Sequence, residues 1–434
     1  MSAAYAIAAR AAAPALRVLL AVRLRAGKED PARIQERFGA ASIARPPGPL
    51  VWLHAASNGE ARSALGLVAR ILAERADMHV LFTTFTLTSA RMLAEALPSR
   101  AVHQFVPLDV PAWIDRFLDH WRPDLAFWIE GELWPNLVAR TASRRIPMAL
   151  INARLSERSF RRWRAGRALF RPPLGAFAVC LAQSPADAER LAALGARQPR
   201  YVGHLKFDGA ELPADQTALA QLKSAIGARP IWLAASTHPG EEEIVLDAHA
   251  ALAHQRPDLL TILVPRHARR GDELADLLAR RGISAARRSQ GALPGPDTAV
   301  YLADTMGELG IFYRLSDIAF VGASLVPRGG QNPLEAAQLG CALCFGPHMT
   351  NCRDIADAML ACGAAVEVHD AGTLAARVAH LLDNPDARAC DGAAAREVAA
   401  QGRGATDRVM AELRGLLAPL QRAPGTVDVR HASA

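Results

Sequence analysis

Short unbroken apolar runs alternate with longer stretches of helical spacing along almost the whole chain. Residues 50–55 form the first run and lead into Ser57-Asn58-Gly59, and a helical pattern follows over 60–74. The runs 80–84, 101–106, 125–129 and 148–151 repeat it, with helical stretches between them, one starting at Pro135. A second series begins at Pro230, with runs at 231–235, 259–264, 299–302, 318–321, 342–345 and 364–368. Runs that are apolar at every position fit strands buried on both faces. Their alternation with helices predicts an α/β protein built on parallel sheets.

The two series resemble each other. Val51-Trp52-Leu53-His54-Ala55-Ala56-Ser57 is echoed by Ile231-Trp232-Leu233-Ala234-Ala235-Ser236, and each is followed by a Gly-Glu pair, Gly59-Glu60 and Gly240-Glu241, that opens a helix. These read as the first strand and first loop of two Rossmann-like domains, whose ligands sit at the carboxyl ends of the strands. Facing each other, two such domains would put both loops on one cleft. The expected organisation is an N-terminal helix over 1–25, a first domain over 26–207, a polar linker over 208–229 containing Pro213 and Gly227, a second domain over 230–420 and a loose tail over 421–434.

Composition narrows the classes. The chain has 434 residues, 51% of them hydrophobic and 21% charged, enough for two cores and against extensive disorder. A formal charge of +7 points to an anionic partner: nucleic acid, phospholipid or a phosphorylated substrate. Six cysteines do not make a disulfide framework. Cys341 and Cys344 have no second CxxC to complete a zinc site, alternate strand positions send their thiols to opposite faces, and a reducing cytoplasm fits. Residues 1–25 are rich in Ala and Leu but carry Arg10, Arg17, Arg23 and Arg25, so no stretch reaches the roughly 18 uncharged apolar residues of a spanning helix. An amphipathic helix presenting Leu16, Leu19, Leu20 and Leu24 fits contact with a membrane surface, or docking on the protein itself.

Candidate chemistry gathers at the strand ends. Glu60 stands where a strand turns into a helix, with Gly59 allowing a tight turn and the helix dipole favouring a carboxylate. Such a group can accept a proton from an attacking hydroxyl, or can simply cap its own helix. Glu130-Gly131-Glu132-Leu133-Trp134-Pro135-Asn136 and Asn152-Ala153-Arg154-Leu155-Ser156 close the next two runs, and one acid of the first could be a cap. Over 158–171, Arg158, Arg161, Arg162, Arg164, Arg167 and Arg171 are interleaved with Phe160, Trp163 and Phe170, a pattern suited to phosphates beside apolar chains, to nucleic acid or to a solvated basic helix. In the second half, Val264-Pro265-Arg266-His267, Asp304-Thr305-Met306-Gly307-Glu308 and Gly346-Pro347-His348 end strands, and Gly329-Gly330-Gln331-Asn332-Pro333-Leu334-Glu335 opens a helix. Helix N-termini hold phosphates, Arg266 can add a charge-assisted bond, and Glu335 can accept from sugar hydroxyls. The glycine spacing matches neither a Walker A nor a GxGxxG loop, which favours a monophosphate-level contact.

With these residues in place, the chain resembles the 3-deoxy-D-manno-octulosonic acid (Kdo) transferases of lipid A assembly. The resemblance runs from about Lys28 to Met410. It is carried by Arg37-Phe38-Gly39, Ser57-Asn58-Gly59-Glu60, the 130–136 and 152–156 segments, Leu205-Lys206-Phe207-Asp208, Ser236-Thr237-His238, Pro265-Arg266-His267, Met306-Gly307-Glu308, the 332–335 segment and Gly346-Pro347-His348. The resemblance implies a GT-B fold of two Rossmann-like domains facing across a cleft, acceptor on the first and CMP-Kdo on the second, with no metal and no cofactor. It implies that Glu60 is the general base and that Glu130 and Lys206 stabilise the transition state. Pro265, Arg266, Met306, Gly307, Glu308, Asn332 and Glu335 fall on the CMP contacts, and Ser57, Gly59, Glu132, Asn152, Arg154, Ser236, Thr237, Pro333 and Leu334 are expected beside substrate. Gly131 stands where Thr is common, Ala323 replaces a second Gly after Gly322, and Cys352 replaces an aromatic after Asn351. The expected reaction moves Kdo from CMP-Kdo to a lipid A precursor at the cytoplasmic face of the bacterial inner membrane, with no nucleic acid involved and the number of Kdo units left open. The alternatives are a UDP-sugar transferase or epimerase of the same fold, and a non-catalytic anionic-lipid-binding protein that kept it.

Overall fold

The computed structural model describes residues 3–209 and 211–421. The chain forms two compact α/β units: one runs up to Gly209 and takes in the segment from Arg403, and the other is Ala210–Gly402.

The first unit is built on seven parallel strands: β1 (Leu50–His54), β2 (His79–Thr84), β3 (Ala101–Phe105), β4 (Leu125–Ile129), β5 (Met148–Ala153), β6 (Val179–Ala182) and β7 (Arg200–Tyr201), in the order β3-β2-β1-β4-β5-β6-β7. Every residue of β1 and β4 is buried, because helices cover both faces of the sheet. On one face the helix Asn58–Glu74 packs Leu67, Val68 and Ile71 against Val51, Leu53 and Phe127. On the other, Trp52 lies against Phe117 and Trp128, with ring centroids 5.0 and 4.9 Å apart. The strand order reverses between β1 and β4, so the loops after these two strands flank the crevice where such sheets bind ligands.

The second unit repeats the plan with β8 (Ile231–Thr237), β9 (Leu260–Pro265), β10 (Ala285–Arg287), β11 (Val300–Leu302), β12 (Ile318–Val321), β13 (Ala342–Phe345) and β14 (Ala365–Glu367), all parallel, in the order β10-β11-β9-β8-β12-β13-β14. Its reversal lies between β8 and β12. The echoed segments therefore are equivalent strands, each beside the reversal of its own sheet.

Three boundaries differ from the sequence reading. The 208–229 stretch is not a bare linker: it holds the helix Gln216–Ile226, which buries Leu219, Leu222 and Ile226 within the second unit. The second domain stops at Gly402 rather than 420. The helix Ala405–Leu417 belongs to the first unit and adds Val409, Met410, Leu413 and Leu417 to the core under the helix Asn58–Glu74. Asp208 fixes that return by accepting from the N–H groups of Gly404, at 2.6 Å, and Thr406. The N-terminus is two helices, Ala3–Ala11 and Ala13–Arg25, bent by 50°. Pro14 has no N–H to continue the first helix through the bend. Leu20 inserts among Leu108, Val110 and Trp113, while Ile7, Val18, Leu19 and Val22 stay exposed. The tail expected over 421–434 lies outside the described residues beyond Gln421.

Candidate active site

In the first unit the chemistry starts from Ser57, which caps the helix Asn58–Glu74 by accepting from Glu60 N. The Glu60 side chain turns back over the same turn. It accepts from Ala56 N at 2.8 Å and from the Ser57 hydroxyl at 2.9 Å, and the residue is only 8% exposed. The capping reading is thus realised, but it does not exhaust the group. Burial, then the nearby charge of Glu130, outweigh the two stabilising hydrogen bonds and push the Glu60 carboxyl up to about 7. A carboxyl poised there is half ionised near neutral pH, as a general base requires.

Glu130 follows β4, directly across the reversal. Burial raises its carboxyl, and the positive charges of Lys206 and Arg154 oppose that shift. The helix Pro135–Ser143 is capped by Asp109, which accepts from Asn136 N at 3.1 Å and Leu137 N at 2.8 Å. Neither Glu130 nor Glu132 is needed as the cap. Glu132 is exposed and accepts from the Trp134 indole at 3.1 Å.

Asn152 is fully enclosed. Its amide nitrogen reaches Glu130 Oε1 at 3.5 Å, and its oxygen accepts from Leu205 N at 3.1 Å. It therefore joins the β4 loop to the Lys206 turn rather than presenting its side chain outward. Next to it His204, held well below its ordinary pKa by burial and by Lys206, stays neutral and accepts from Lys206 N at 3.1 Å. Gly131 has a structural consequence: a Cβ there would lie 2.9 Å from the Arg154 carbonyl, so the Thr common at this place would force the 154 backbone outward. The basic stretch forms two helices, Glu157–Ala165 and Arg167–Gly175. Trp163 is buried, while Arg158, Arg161, Arg162 and Arg164 are exposed. The side chains of Arg167 and Phe170 lie outside the described ones.

In the second unit Ser236, Thr237, Pro265, Arg266, Met306, Gly307, Glu308 and the 332–335 segment all lie at the carboxyl ends of the strands. The surroundings are cationic. His238 is driven down to about 4 by burial and then by the charges of His267, Arg266, Arg328 and Arg270. Met306 is 66% exposed, an apolar side chain available to lie over a flat ring. Glu308 is gripped by Arg288 through two bonds of 2.5 and 3.1 Å, which hold its carboxyl below the usual range. Thr237 is buried and its hydroxyl donates to Glu242 at 3.1 Å; Pro333 and Leu334 are buried too. The side chains of these three are enclosed in the loop framework. The helix begun at Leu334 is only five residues long, so its dipole is weaker than the sequence pattern suggests.

Sequence reasoning missed Arg288 and Asp109, whose partners lie far along the chain, and His204, whose partner Lys206 is close by but whose enclosure no local pattern shows. It also missed the backbone. Glu130, Asn152, Ser236 and Ala323 all adopt left-handed φ, between 54° and 63°. Each stands at the end of β4, β5, β8 or β12, where non-glycine residues are held in this unfavourable region by the packed loops around them.

Residues 32–209 match the family described as 3-Deoxy-D-manno-octulosonic-acid transferase (kdotransferase). The 3-deoxy-D-manno-octulosonic acid transferase of Rickettsia bellii is 35% identical over 371 residues, covering 86% of this chain and 88% of its own. The enzyme of the same name from Bordetella pertussis is 38% identical over 428 residues, covering 95% of this chain and 99% of its own. Among solved structures, a putative UDP-N-acetylglucosamine 2-epimerase from Listeria monocytogenes superposes with a TM-score of 0.61 at 14% identity, over 86% of this chain and 98% of its own, a likeness of fold alone.

Proposed function

Because the chain belongs to the family of 3-deoxy-D-manno-octulosonic acid transferases and is a glycosyltransferase, we propose that it moves Kdo from CMP-Kdo to a lipid A precursor by one direct displacement with Glu60 as the base. An acceptor hydroxyl gives its proton to the Glu60 carboxylate as its oxygen bonds to the anomeric carbon of Kdo. The bond from that carbon to the CMP phosphate oxygen breaks, and CMP leaves with the electron pair. Glu60 releases the proton to solvent afterwards.

The observation that carries this reading is the state of Glu60: a buried carboxyl beside Glu130, raised to about 7, at the strand-order reversal of the first sheet. Lys206 and Arg154 balance the negative charge of the pair and of the acceptor. On the second unit, Arg266 and its cationic neighbours suit the phosphate and the sugar acid, and Met306 suits the base. The test is mass spectrometry of the products formed from CMP-Kdo and a tetraacylated lipid A precursor. Addition of Kdo supports the reading and counts the units transferred, whereas CMP release without acceptor modification overturns it. Competition of CMP against UDP for binding separates the reading from a UDP-sugar enzyme: CMP is expected to bind and UDP to compete weakly.

The acceptor is a lipid, so the same reading puts the protein at the inner face of a bacterial inner membrane. The exposed side chains Ile7, Val18, Leu19 and Val22 beside Arg10, Arg17 and Arg25 suit an anionic bilayer surface. Among the described residues no single helix is long and apolar enough to cross a membrane, although the bent N-terminal pair passes by length and composition. A Val18→Glu, Leu19→Glu, Val22→Glu variant is expected to lose most of its co-sedimentation with phosphatidylglycerol vesicles, since each change replaces buried apolar contact with a repelled charge. Full retention on the vesicles would exclude this face as the contact.

A further inference from the structure

In sheets of this kind the crevice at a strand-order reversal is where ligands bind. In the second sheet that crevice is already filled by a side chain. Glu241, the first residue of the helix Glu241–Ala253, is completely buried between the loops after β8 and β12. Its Oε2 accepts from Ala323 N at 2.6 Å and His238 N at 2.9 Å, and its Oε1 accepts from Ser324 N at 2.8 Å and Leu325 N at 2.9 Å. Three successive amides converge on one carboxylate, with Ala323 left-handed at φ 59°, the conformation that turns neighbouring N–H groups toward a single anion. The two loops meet closely: a Cβ on Gly322 would lie 2.7 Å from the Ser236 carbonyl oxygen.

The loop that Glu241 holds passes its order outward. Gly322 O accepts from Gln331 N at 3.1 Å and Ala323 O from Gly330 N at 2.7 Å. Ser324 Oγ accepts from Gly346 N at 2.8 Å, and Ser324 O accepts from His348 N at 2.9 Å. The 329–335 and 346–348 segments, both at the candidate donor rim, thus hang from Gly322, Ala323 and Ser324, and the last two of these are held directly by the one carboxylate. Glu60, at the equivalent place in the first unit, has both its hydrogen bonds inside its own turn.

We propose that Glu241 is a positioning residue for the donor nucleotide: without touching it, the carboxylate sets both loops that do. This rests on the CMP-donor reading above. The test is titration calorimetry with CMP, together with steady-state kinetics in donor and acceptor, on the full chain carrying Glu241→Gln or Ser324→Ala. The Gln amide keeps one acceptor oxygen and turns an NH2 toward the remaining amides. CMP affinity is expected to fall and donor KM to rise by roughly tenfold or more, with acceptor KM unchanged and kcat at saturating donor within about threefold. A merely structural role would lower the melting temperature without this donor-specific split. Ser324→Ala, which keeps Glu241 and removes the side-chain links to Gly346 N and to the Val321 carbonyl of its own loop, is expected to shift donor KM the same way by less, and it decides the matter should Glu241→Gln not fold. Wild-type CMP affinity in a folded variant overturns the inference alone, whereas an unaltered chain that binds no CMP overturns the donor reading and the inference with it.

Discussion

Glu60→Gln is expected to lower kcat by about 10²–10⁴-fold while leaving CMP affinity within error of the unaltered chain, because an amide of the same shape cannot take the acceptor proton. The pH profile gives an independent reading. Burial and Glu130 hold the Glu60 carboxyl up at about 7, so the base form is scarce in acid, and kcat/KM should climb with unit slope to near that pH and level above it. The residual rate of the Gln variant should lose this limb. Near-wild-type transfer by Glu60→Gln would refute the assignment.

The same carboxyl costs stability, and the sign follows from its direction of shift. Its pKa lies near 4.5 in the unfolded chain and about 7 in the folded one, so between those values the folded state holds a proton that the unfolded state lacks. Stability from this group therefore falls as pH rises through that window and stays low above it. Glu60→Gln removes the penalty. It should be more stable than the unaltered chain at pH 8, by on the order of a few kcal/mol, with the difference vanishing in acid. Chemical denaturation at the two pH values checks this, and an equal or lower stability at pH 8 would contradict the buried ionised state.

Arg37→Met is expected to destabilise the first unit by about 3–5 kcal/mol, a drop on the order of 10 °C in its melting temperature. Arg37 is completely buried. Its guanidinium sits between the rings of Phe85 and Phe105, 4.6 and 4.5 Å from their centroids. It donates to Glu29 at 3.0 Å and to the carbonyl oxygens of Phe85 at 2.5 Å and Val106 at 3.4 Å. Burial pulls its pKa down and Glu29 opposes that pull. Removing the cation leaves the enclosed Glu29 carboxylate, among the described residues, with Arg23 alone, which it meets at 2.7 Å. Most of the loss is thus the cost of an enclosed carboxylate stripped of its buried partner, and Glu29→Leu added to Arg37→Met should recover a good part of it. A single variant that melts within a degree or two of the unaltered chain would show the network to be neutral.

Much of this was legible along the chain. Runs such as 125–129, 318–321 and 342–345 coincide with β4, β12 and β13, because strands covered on both faces must be apolar at every position. The echo of 51–57 at 231–236 is also real, since β1 and β8 take equivalent places in their sheets. β7 and β10 were missed because Arg200-Tyr201 and Ala285-Ala286-Arg287 are partly or fully exposed and form no apolar run, while β6 is apolar throughout and was overlooked. The return of the helix Ala405–Leu417 to the first unit was missed for another reason: an apolar face shows that a helix is buried, and says nothing of which sheet receives it.

Glu60 and Glu241 mark the limit most clearly. Both follow a glycine at the end of an equivalent strand and open an equivalent helix, and the sequence alone determined that much: two Rossmann-like halves, each with an acid at its first turn. Tertiary structure alone decided what each acid does. Across from Glu241 lie three amides of the β12 loop, which satisfy its charge and lock it into the framework. Around Glu60 burial raises the carboxyl, and across from it lies Glu130, whose charge raises it further and leaves it able to take a proton. A carboxylate is shaped by what faces it across the sheet, and those partners are 70 or more residues away along the chain.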